Sequence, residues 1–200
     1  MTMRRTHILL AIFLTAAFAL GSAPSVHAQD APKWEVFGGY TYMRSNIVVS
    51  GTPFNLNGGS GSVAYNLNNW FGLVGDFGVT HQGAVAAKPF SLTIYTYEFG
   101  PRVSWRNHTH LTPFAQILLG GGHAGGTLYT TSLGTGLAPL GTSNDFNFSV
   151  GGGVDWKLSH GFGIRLAQAE YLHTQFLNTN NNSQSNFRLS TGVVFSFGKQ

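Results

Sequence analysis

The stretch N-F-R-L-S-T-G-V-V-F-S-F, residues Asn186 to Phe197, decides how the rest of the chain is read. Its odd positions carry Phe187, Leu189, Thr191, Val193, Phe195 and Phe197, and its even positions carry Arg188, Ser190, Gly192, Val194 and Ser196. A repeat of two is that of a β-strand, whose successive side chains point to opposite faces. This strand therefore has one greasy face and one face of small or polar residues. In a water-soluble sheet the greasy face turns inward to make a core. In a closed barrel in lipid it looks outward, and the small and polar residues fill the inside.

Other segments alternate in the same way. Strands are expected at Trp34 to Met43, Gly59 to Leu67, Trp70 to Thr80, Ser91 to Trp105, Leu111 to Gly122, Asp145 to Leu158 and Phe162 to Leu172. With the stretch above they make eight. Asn68-Asn69, Arg106 to His110 and Ser159 to Gly161 read as tight turns. Arg44 to Gly58, His81 to Phe90, Ala124 to Asn144 and Thr174 to Ser185, rich in Gly, Ser, Thr or Asn, read as loops. Short turns would then lie on one rim and long loops on the other, the pattern of bacterial outer-membrane barrels. Ser190 to Phe197 resembles the C-terminal assembly signal of such barrels, with Ser190, Gly192, Phe195 and Phe197 at the matching positions. The tail Gly198, Lys199, Gln200 departs from it, because such signals often end on the aromatic. The resemblance implies recognition by the barrel-assembly machinery.

The N-terminus carries an export pattern: Arg4 and Arg5, the apolar run Ile8 to Leu20, and Val26-His27-Ala28 as a cleavage site. Residues 1–28 are expected to be a signal peptide and 29–200 the barrel domain. At 1.5 Å per residue the apolar run reaches only about 20 Å, short of a hydrocarbon core of roughly 30 Å. Any membrane crossing must use strands. The absence of cysteine rules out disulfides and thiolate metal sites. Without Arg4 and Arg5 there are nine basic residues against seven acidic ones, too balanced for a nucleic-acid surface.

By parity Asp76, Glu98, Asp155, Arg102, Lys157 and Arg165 face the lumen. An eight-stranded barrel is just wide enough for side chains to fill it, so interior charges must pair. Asp155 and Arg165 flank the turn at Ser159 to Gly161 and are expected to face each other. Glu170 falls on the apolar side, so that either a bulge reverses the phase or the residue lies beyond the lipid. With these residues in place the chain resembles the transmembrane domain of the outer membrane protein A family, whose interior holds acidic and basic side chains. The matching positions are Asp76 in L-V-G-D-F-G, Asp155 in G-G-V-D-W and Arg165 in G-I-R-L-A. Glu98 departs, since the family often has a basic residue there. The longer members' peptidoglycan-binding domain has no counterpart in this chain.

Other motifs carry less. Gly120, Gly122 and Gly125 satisfy G-x-G-x-x-G, but no helical pattern follows, so close strand packing explains them better than a dinucleotide. His108 and His110 lie two apart in a turn, with no third ligand displayed, and no metal or other cofactor is expected. Lipid A deacylases of this size carry H-x-S, which is absent here. The expectation is an eight-stranded antiparallel up-and-down barrel, all-β, in the bacterial outer membrane. It would be monomeric and non-enzymatic, with a plugged lumen, in contact with outer-membrane lipid and lipopolysaccharide and with an unidentified extracellular ligand at its loops. The alternatives are a narrow porin-like channel, a lipid A-modifying enzyme, and an exported soluble ligand-binding barrel.

Overall fold

The computed structural model describes residues 31–49, 52–83, 90–107, 109–130, 136–174 and 184–199. The expected signal peptide lies outside them. Eight antiparallel strands follow in order: β1 (Pro32–Val49), β2 (Thr52–Asn66), β3 (Phe71–Gln82), β4 (Phe90–Ser104), β5 (Leu111–Thr130), β6 (Gly136–Lys157), β7 (Phe162–Thr174) and β8 (Gln184–Lys199). Each pairs with its neighbour in sequence, and β1 pairs with β8, so the sheet is a closed up-and-down barrel with no free edge. Pro32 partners Lys199 and Gly39 partners Gly192 along the closing seam.

The faces are inverted relative to a soluble protein. Phe99 is 59% exposed while its neighbour Glu98 is 4% exposed; Phe195 is 49% exposed and Val194 4%. Apolar rings on the outside and carboxylates within fit a barrel whose solvent is lipid. Among the described residues no helix is long and apolar enough to cross a membrane.

The turns are local constructions. Asn68 Oδ1 accepts the backbone N–H groups of Trp70 and Phe71 at 3.0 and 2.8 Å, and the amides of Leu67 and Asn68 both donate to Phe71 O. Leu67 and Trp70 therefore belong to the turn rather than to the strands. At the seam, a Cβ on Gly39 or on Gly192 would meet backbone of the other strand at under 3.0 Å. Only glycine fits so close an approach.

Three expectations fail. Most of Arg44 to Gly58 is strand, not loop: the ladder runs Arg44 with Asn55, Ser45 with Phe54 and, after a shift, Val49 with Thr52. Ala124 to Asn144 is likewise mostly ladder, continuing to Thr127 with Pro139 and Thr130 with Gly136. Ser, Thr and Gly suggested loops, but threonine and the apolar residues among them suit a strand, and two facing segments satisfy each other's backbone groups. The third is the placement of Ala169 and Leu172 in β7, whereas the bulge reading of Glu170 holds. A register shift between Arg165 and Gln168 leaves Leu166 and Ala167 both exposed. Beyond this bulge Ala169 points outward and Glu170 and Leu172 inward, opposite to the phase read from Phe162.

Candidate functional site

The ladder puts Asp76 of β3 directly beside Glu98 of β4, with both carboxylates inside. Two like charges at one register level need a cation. It comes from across the lumen, because β8 borders only β7 and β1. Arg188 of β8 places Nη1 3.1 Å from Asp76 Oδ1 and Nη2 3.3 Å from Glu98 Oε2, and its Nε donates to Glu170 Oε2 at 2.7 Å. A guanidinium has five donors in a rigid fork, which lets one side chain serve three carboxylates on three strands. Ser149 Oγ donates to Glu98 Oε2 at 3.1 Å.

The network continues toward the short-turn rim. Gln116 Nε2 donates to Glu170 Oε1 at 2.8 Å and Gln116 Oε1 accepts from Arg102 Nε at 2.9 Å. Arg102 Nη1 lies 3.7 Å from Glu35, which also binds Arg106 at 2.8 Å. Arg165 forks onto Asp155, with Nε to Oδ1 at 2.7 Å and Nη2 to Oδ2 at 3.0 Å. Its guanidinium is sandwiched between the rings of Phe37 and Phe114, 4.2 and 4.5 Å from their centroids. Arg102 lies over Phe114 as well, at 4.3 Å. One ring thus separates two like charges and attracts both through its faces.

Of the six interior charges expected from sequence, Asp76 and Glu98 meet on Arg188, and Asp155 meets Arg165. Arg102 joins the chain through Gln116 and Glu35. Lys157 stands apart at the short-turn mouth, where it lines a cavity of about 630 Å³ together with Glu35, Arg106, Asp155, His160 and Lys199. Sequence reasoning missed Arg188, Glu170, Glu35 and Arg106 as members. Arg188 sits on the small and polar face of β8, a signal that could have included it, whereas Glu35 shares its face with Phe37 and Met43. Glu170, left open between a bulge and a place beyond the lipid, is brought inside by the bulge.

Of the assembly-signal positions, Ser190 is buried with its Oγ 2.9 Å from Thr41 Oγ1, and Gly192 is the seam glycine. Phe195 and Phe197 face outward, and Phe195 packs on Phe162 at 5.5 Å between centroids. Gly121 lies under the exposed Tyr97 ring, which a side chain there would have to displace. No group of three or more His, Asp or Glu among the described residues could hold a metal ion. His110 instead sits 3.1 Å from Lys157 O, and His108 lies outside the described residues.

A family model described as "Outer membrane protein beta-barrel domain" matches residues 13–197. Comparison with curated sequences finds no match. Among solved structures, Neisserial surface protein A superposes with a TM-score of 0.61 at 16% identity, over 84% of this chain and 100% of that one. Ail, the attachment invasion locus protein of Yersinia pestis, gives 0.57 at 18% identity over 82% and 99%. The outer membrane protein OprG of Pseudomonas aeruginosa gives 0.53 at 11% identity over 86% and 99%. At these identities the likeness is one of fold.

Proposed function

The chain belongs to the outer membrane protein beta-barrel domain family and resides in the bacterial outer membrane, and from that premise we propose that it is a non-conducting surface protein which meets its partner through the long-loop end. The observation that carries this reading is the height of the β5–β6 hairpin. A spanning strand needs roughly 9 to 11 residues, whereas β5 has 20 and β6 has 22. Seven residues of β5, Ala124 to Thr130, continue the ladder with β6 past His123, and the first five of them also pair with β4 at its outer end. At about 3.3 Å per residue the arm is some 20 Å long. A paired hairpin loses less freedom on binding than an open loop of equal length, which suits it to recognition.

The lumen reading is supported by Arg188, whose contacts with β3, β4 and β7 cross the axis where an ion would pass. The reading assigns no catalytic step. Ail is described as an attachment protein; attachment through the projecting arm is the corresponding role here.

The test uses the whole protein in cells and in planar bilayers. Residues 127–139 are replaced by a two-residue turn, and adhesion of cells bearing the parent or the shortened protein is compared on serum and matrix proteins. Loss of adhesion with the barrel still folded supports the reading. Equal adhesion, or steady unitary conductance from the parent, overturns it.

A further inference from the structure

The outer surface at the long-loop end repeats one arrangement four times. On each long-loop hairpin a cationic or imidazole side chain stands opposite an amide or hydroxyl: Arg44 with Asn55, His81 with Thr93, His123 with Asn144 and His173 with Ser185. The basic member is always on the odd strand, and all eight occupy outward positions. His81 Nδ1 is 2.8 Å from Thr93 Oγ1 and His123 Nδ1 is 2.6 Å from Asn144 Oδ1. Engaging Nδ1 in this way fixes the ring and leaves Nε2 as the second nitrogen for another partner.

The height of these pairs is set by what lies one step below. The next outward positions hold Tyr42, Tyr95, Phe146, and Tyr171 with Phe187. Aromatic girdles mark the boundary between acyl chains and headgroups. The four pairs lie two residues farther out, about 7 Å along the strand, at headgroup level.

The distribution of acids points the same way. Glu35, Asp76, Glu98, Asp155 and Glu170 are inside the barrel or at its short-turn mouth. Residues 50–51, 84–89, 131–135 and 175–183 contain no Asp or Glu. The outward cross-strand partners are Asn57 and Thr93 for His81, Tyr95 and Asn144 for His123, Phe148 and Ser185 for His173, and Asn55 and Phe187 for Arg44. None is a carboxylate. A ring of basic groups at headgroup level, with no carboxylate among these ladder partners, is suited to an anionic lipid surface.

We propose that these four pairs form a belt that binds the phosphates of the phosphorylated glycolipid in the outer leaflet. Arg44 supplies a permanent charge, and each imidazole supplies a ring N–H donor to the phosphate oxygens. The belt is on the barrel's flank and depends only on outer-membrane residence, not on the partner of the projecting arm.

The test is equilibrium binding to the full protein in nanodiscs, with diphosphoryl lipid A, fully dephosphorylated lipid A and inorganic phosphate as separate probes. The parent should prefer the diphosphoryl form by about tenfold or more. The variant H81Q/H123Q/H173Q, checked for folding by its heat-dependent gel shift, should lose most of that preference. Arg44→Gln, tested alone, should also lower it. Equal binding of the two lipid forms by the parent overturns the proposal, whether or not the variants fold. So does a folded triple variant that retains the parent's preference, or full competition by equimolar inorganic phosphate.

Discussion

Arg188 on the last strand donates its Nε–H to Glu170 on the preceding strand at 2.7 Å, while its two terminal nitrogens reach the opposite wall. The contact is thus both a rung between neighbours and a brace across the barrel. Replacing Arg188 with Met should destabilise the fold by about 3 to 5 kcal/mol, because three buried carboxylates lose their shared cation. Urea unfolding in lipid vesicles, followed by tryptophan fluorescence, measures it. Adding D76N, E98Q and E170Q should recover most of the loss, which separates charge imbalance from lost packing.

Asp155→Ala leaves Arg165 between Phe37 and Phe114 with its carboxylate partner gone. A loss of about 3 kcal/mol is expected, at the low end for a broken buried pair because two aromatic faces and Gln168 still hold the guanidinium. The double variant D155A/R165M should be more stable than D155A in the same assay.

Gly192→Val should block closure rather than weaken a finished barrel, since its side chain would meet the backbone of Gly38 and Gly39. The expected result is loss of the compact, heat-modifiable band on a gel. Gly75→Ala, where a methyl group would meet open space, should leave that band unchanged.

Excising residues 127–139 should leave the folded band and the unfolding midpoint nearly as in the parent, because beyond the β5–β6 ladder itself it removes only the two rungs to β4, Ser91 with Thr127 and Phe90 with Leu128. A midpoint shifted by more than about 1 kcal/mol equivalent would mean that the arm supports the barrel.

The period of two in β3, β6 and β8 sufficed to place rings outside and charges inside, and the count across Ser159 to Gly161 put Asp155 opposite Arg165. What sequence could not supply was phase and reach. An extra residue at Leu166 and Ala167 reverses every later side chain of β7; Glu170 on the apolar parity signalled such a bulge, but not its position or the partner Glu170 would meet inside. Arg188 was visible on the polar face, but its partners lie on β3 and β4, half a barrel away, where adjacency along the chain gives no guidance. The tall hairpins were concealed for another reason: serine, threonine and glycine are common to loops and to exposed strands.

The partnership of Pro32 with Lys199 makes the two ends of the described chain immediate neighbours at one rim. Joining them through a short tether and opening the chain between β3 and β4 would yield a circular permutant with every rung preserved. The finished barrel therefore keeps no record of which strand was synthesised first.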